Sequence, residues 1–200
     1  GEVPPIDFVL TDPALQAPLL YRAARWARQG RSVRVTVPAA PGLLAALRVG
    51  CSLGLRVRLD LGQPAADVLD ELLGSVDLYL RGPGTDAPVE PWHSALSWLL
   101  GAASPDLWEV LEDDPALHRR ADDPRPASFV AAHGARLDAS GAECLSCELR
   151  AFCGGHFKWP EPAYDCTGVR GVFVRIAAAA EQLRHDLAEA ERLTGTGQGA

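Results

Sequence analysis

Cys144, Cys147, Cys153 and Cys166 lie in one short stretch of the chain, separated by two, five and twelve residues. Thiolates bind metals, and four of them suffice to close a tetrahedral zinc site or to hold the four irons of a [4Fe-4S] cube. A Cys-x-x-Cys turn sets two sulfurs on one side of a metal. Gly154 and Gly155, directly after Cys153, remove side chains where the backbone must approach the metal or adopt positive φ. Zinc ribbons usually pair two Cys-x-x-Cys knuckles and this stretch has one, so the spacing leans towards a cluster, with zinc still open and paired disulfides third. His156 carries an imidazole that binds iron or zinc, but beside four thiolates a hydrogen bond to a ligand sulfur is at least as good a use for it. Phe152, Phe157, Trp159 and Tyr164 interleave with the cysteines. They read as a water-excluding shell around a cluster or as a small hydrophobic core around a metal staple. Cys51, alone in Gly50-Cys51-Ser52, reads as a small buried hydrophobe.

The segments that must position these residues alternate strand and helix. Residues 6–10 (IDFVL) predict a strand, and Thr11 or Asp12 caps a helix with Leu15, Leu19, Leu20, Ala23 and Trp26 on its apolar positions, ending at Gly30. A strand at 33–37, a short helix at 41–49, a strand at 55–61, a helix at 64–73 and a strand at 76–80 follow. Strands joined by helix-length crossovers pair in parallel with a right-handed sense, so this part predicts an α/β fold, a parallel sheet with helices packed on it. Gly82, Pro83 and Gly84 break the series. Residues 89–101 then predict a helix with Trp92, Leu96 and Leu99 or Leu100 inward, and 106–120 predict another. Trp92 and Trp98 at helical spacing read as core, the alternative being a groove shared with His93. Residues 121–126 (ADDPRP) read as a linker, and the pairs Asp113, Asp114 and Asp122, Asp123 as solvated surface or caps. Residues 169–193 predict a long helix. The division that follows is 1–125, a cysteine module with its helix at 126–193, and a disordered tail at 194–200.

Composition narrows the classes of partner. A net charge of -7 over 200 residues, 48% of them hydrophobic, suits a globular chain and excludes collagen-like, coiled-coil or fully disordered architectures. With 19 basic against 26 acidic side chains there is no electrostatic footprint for nucleic acid. No apolar run approaches the roughly 18 residues of a membrane span, and no signal peptide pattern follows Gly1, so a cytoplasmic setting is expected, where thiols stay reduced. The first strand runs into Thr11, Asp12 and Pro13, with no glycine turn for a dinucleotide, and no catalytic triad stands out.

The Cys-x2-Cys-x5-Cys step, the following Gly-Gly and the distal Cys166 resemble the SPASM domain, the auxiliary-cluster domain of radical SAM enzymes that modify peptides and proteins. Such domains commonly hold two clusters, using an upstream cysteine pair and a Cys-x3-Cys step. Here position 157 is Phe157 and no upstream pair is present. Both departures concern the same first cluster. The resemblance therefore implies one [4Fe-4S] cluster ligated by Cys144, Cys147, Cys153 and Cys166, with no open iron for substrate. It further implies that the β/α series is a partial (β/α) barrel-like sheet, followed by a small twitch-like cluster module and a C-terminal helix. The Cys-x3-Cys-x2-Cys motif that binds the SAM-cleaving cluster is missing, so no independent catalysis is expected. The combination is similar to stand-alone SPASM-domain proteins such as those of GeoRSP-type systems. Expected partners are a radical SAM protein, a PqqD-like peptide-binding protein and a peptide or protein substrate. Outside the resemblance, a zinc-stabilised binding or scaffold protein is the alternative.

Overall fold

The computed structural model describes residues 6–83, 87–112 and 129–195. Runs of alternating β-branched and polar residues form β1 (Ile6–Val9), β2 (Val33–Pro38) and β3 (Arg56–Asp60), joined at one edge by the two-residue β4 (Val89–Glu90). All pairings are parallel and the order in the sheet is the order in the chain. The register puts Phe8, Val35, Val57 and Val89 in one row across the sheet. With a period of two, Val33, Val37 and Leu59 share their face.

That apolar face receives the helices. Asp12 caps α1 (Pro13–Gln16) by accepting from the Leu15 N–H at 3.0 Å, as expected of an N-cap aspartate. The helix expected to run on to Gly30 is instead broken by a 3-10 turn at Ala17–Leu19 before α2 (Leu20–Arg28), because Pro18 has no N–H to continue the ladder. Helices α2 and α3 (Leu43–Ser52) pack on β2, and α3 also on β3. At the start of α3 the N–H groups of Gly42 and Leu44 donate to the two carboxylate oxygens of Glu71 at 2.9 and 2.8 Å, which satisfies orphan donors and places an anion at the helix N-terminus. The opposite sheet face is polar: Asp7 accepts from the Thr36 hydroxyl at 2.8 Å and pairs with Arg34 at 2.8 Å.

Residues 76–80 are not a strand. They belong to α4 (Leu69–Arg81), where Leu72, Ser75 and Val76 are buried at helical spacing and Asp77 faces out to pair with Arg175 at 2.9 Å. The fourth strand is Val89–Glu90, so the helix expected over 89–101 starts later, as α5 (Trp92–Leu99). Trp92 is core, with its indole N–H donating to the Ser75 hydroxyl at 3.0 Å.

Beyond α5 come α6 (Leu107–Glu112), α7 (Phe129–Ala139), α8 (Arg150–Cys153) and the long α9 (Thr167–Gly195). The remainder of the helix expected over 106–120, the expected linker 121–126, and Asp113, Asp114, Asp122 and Asp123 lie outside the described residues. Thr194 and Gly195, expected in a frayed tail, are the end of α9. Leu149, Phe152, Phe157, Val169, Phe173 and Ile176 belong to the same buried core as the sheet residues. The boundary expected at 125/126 lies outside the described residues. Among the described residues no helix is long and apolar enough to cross a membrane.

Candidate metal centre

The turn after Cys153 is built from what the two glycines lack. Gly154 and Gly155 have φ of 57° and 80°, in the left-handed region that the sequence led us to expect. A Cβ on Gly154 would lie 2.9 Å from Trp108 Cδ1, and one on Gly155 2.5 Å from Leu137 Cδ1. Their carbonyls are held in turn. Trp108 donates its indole N–H to the Gly154 oxygen at 3.0 Å, and the buried His133 approaches the Gly155 oxygen through Nε2 at 3.2 Å, which requires the Nε2–H tautomer. Phe129, Trp159 and His156 pack edge-on around these two side chains, His156 with its ring centroid 4.7 Å from that of Trp108.

The cysteine segment is docked at one end of the sheet. Gln63, three residues past β3, donates to the carbonyls of Phe157 at 3.0 Å and Glu161 at 2.8 Å, and the Tyr164 hydroxyl donates to the Pro64 carbonyl at 2.8 Å. These contacts fix the segment beyond the carboxyl ends of the parallel strands, the usual place for a ligand in an open α/β sheet.

All four expected ligands, Cys144, Cys147, Cys153 and Cys166, line one partly open cavity. They are free thiols, as is Cys51, which lies buried in the core far along the chain from this site and does not line it. No three of the described His, Cys, Asp and Glu side chains converge closely enough to hold a single metal ion. The thiols ring a space; they do not meet at a point. Phe152 and Phe157 line the cavity as the sequence suggested, joined by Phe173 from α9. Trp159 and Tyr164 do not line it, nor does His156. The Gly-Gly turn carries His156 into the aromatic cluster around Trp108 instead.

Burial raises the Cys144 thiol, with the charges of Cys147 and Glu143 adding to it against Lys158 and Arg150. Cys153 is also raised by burial, opposed by hydrogen bonds from the backbone N–H groups of Phe157, Gly155 and His156. Cys166 is pushed up to about 12, first by burial, with the charges of Glu143, Cys153 and Cys144 adding and Lys158 opposing. Without metal, Cys144, Cys153 and Cys166 are protonated at neutral pH; binding a metal exchanges those protons for it.

Three cations also line the cavity, Arg150, Lys158 and Arg170. Lys158 is buried with its side chain 7% exposed and its Nζ 2.6 Å from Glu143 Oε1. Arg150 Nη2 pairs with Asp138 Oδ1, and Arg150 Nη1 is buried with no hydrogen-bond partner among the described residues. The donor set therefore fits a thiolate-bound metal group. Anionic sulfur is the acceptor that an orphaned guanidinium N–H in this wall needs. Nothing in the spacing of these cations in the sequence separates a buried lysine or arginine from the exposed ones that are the rule. The chain matches no protein-family model, no curated protein and no solved structure.

Proposed function

We propose that the protein is an auxiliary iron–sulfur protein whose Cys144, Cys147, Cys153 and Cys166 hold one [4Fe-4S] cluster, and that it serves a radical SAM enzyme in peptide modification. The observation that carries the first half is the ring of four thiols around a single cavity with cationic and aromatic walls. A tetrahedral zinc with Zn–S bonds of about 2.3 Å needs sulfurs roughly 3.8 Å apart, whereas a cube spreads its ligands over four irons. The cysteine spacing, with one Cys-x-x-Cys knuckle where zinc ribbons usually pair two, favours the cube over the zinc-stabilised scaffold. When bound, the cluster would supply one-electron chemistry; the chain's own residues hold it, exclude water through Phe152, Phe157 and Phe173, and offset its negative charge.

The second half rests on the SPASM-like cysteine pattern and on the sheet. A sequential parallel order suits a partial (β/α) barrel, and the loop after β1 offers Thr11, Asp12 and Pro13 and no thiolate. A chain of this kind passes electrons to, or docks a peptide for, a partner that cleaves SAM, with a PqqD-like peptide-binding protein as the third member. Anaerobic affinity capture from the source cells tests this. The expected co-purifying protein carries a Cys-x3-Cys-x2-Cys motif; capture of the cluster-loaded chain with no such protein, at natural expression levels, contradicts the auxiliary role.

A further inference from the structure

Of the three cations that line the thiol cavity, Lys158 and Arg150 are each paired with a carboxylate. Lys158 gives one N–H to Glu143 Oε1 at 2.6 Å and one to the Tyr164 carbonyl at 2.5 Å. An ammonium has three donors, so one remains for the cavity that Lys158 lines. Arg150 repeats the arrangement. Its Nη2 is bound to Asp138 while its buried Nη1 has no acceptor among the described residues. Burying a cation and an unsatisfied N–H both cost free energy, and anionic sulfur at the cavity relieves both costs at once. Glu143 is 45% and Asp138 46% exposed, so the carboxylates reach water while the cations line the cavity that the four cysteines line.

Four thiolates around a [4Fe-4S] core carry a net charge of about -2 when oxidised and about -3 when reduced. A cation held at the sulfurs favours the reduced form, and a carboxylate behind it subtracts from that effect. We infer that Lys158 and Arg150 are positioning residues that set the reduction potential of this cluster, with Glu143 and Asp138 as their counterweights. The inference rests on the cluster reading above. The step itself adds one electron to the core from a low-potential one-electron donor and moves no proton. The N–H groups of Gly155, His156 and Phe157 around Cys153 act in the same direction as the cations.

The test is a spectroelectrochemical titration of the anaerobically reconstituted full chain, with dithionite as reductant. Lys158→Met should move the reduction equilibrium about tenfold towards the oxidised form, about 59 mV lower for one electron. Glu143→Gln should move it the opposite way by a similar factor, and Lys158→Arg should stay within a few-fold of the parent chain. Arg150→Met and Asp138→Asn repeat the pair of opposite signs. A damaged site would lose iron or shift all variants together, so opposite signs within an ion pair distinguish tuning from packing. Cluster-loaded Lys158→Met and Glu143→Gln with the parent potential, or both moving the same way, overturn the inference alone. A parent chain that takes up no iron and sulfide overturns it together with the cluster reading.

Discussion

Each of Cys144, Cys147, Cys153 and Cys166 supplies one corner of the proposed cube, so removing one exposes an iron that nothing else in the cavity replaces. Changing any of them to Ser should lower bound iron and loosen the segment around it, whereas Cys51→Ser should do neither, since Cys51 is a buried core residue away from the cavity. Iron content per chain after identical reconstitution checks this; full loading in two of the four single variants contradicts it. Gly155→Ala is a second test at this scale. Alanine at φ of 80° costs about 1–3 kcal/mol in backbone strain. The 2.5 Å approach to Leu137 adds to that cost, so chemical denaturation should show a loss of at least about 1 kcal/mol together with weaker cluster retention. That the four cysteines share one cavity was legible in the sequence, because they lie within one short stretch with a Gly-Gly turn between the third and the fourth. Lys158, Arg150 and Glu143 were not, because their roles depend on which side of the Gly-Gly turn and of α8 faces inward, and that is decided by contacts with α7 and α9.

Among the elements, the docking of the cysteine segment on the β3 end hangs on few side chains. Gln63→Ala removes two hydrogen bonds to the carbonyls of Phe157 and Glu161, worth about 0.5–1.5 kcal/mol each. Hydrogen exchange should accelerate across residues 144–166 while β2 and β3 keep their protection; a uniform increase would contradict this local role. The parallel sheet was legible from three alternating runs separated by helical patterns. The fourth strand was not. Val76, Leu78 and Leu80 alternate as a strand would, yet Leu72, Ser75 and Val76 lie on one helical face, and the polar Ser75 is buried because Trp92 donates to its hydroxyl. That contact comes from another element, out of reach of a local pattern. The true β4 has two residues, too few for any periodicity to register.

At the scale of the whole molecule, one continuous core joins the sheet to the cysteine segment, so the site and the fold share their stability. In the proposed cluster, ligation by all four cysteines would leave no iron open to chelate SAM, and no thiolate stands in the loop after β1. The reduced chain alone, supplied with SAM, should form no 5′-deoxyadenosine above background; turnover by this chain with contaminants excluded would mean that the cluster is not a closed auxiliary one. The central claim is the identity of the metal group. Anaerobically purified protein should contain about four irons and four acid-labile sulfides per chain and absorb broadly in the visible, bleaching with dithionite. A colourless protein holding about one zinc per chain, with no iron taken up on anaerobic reconstitution, would contradict it.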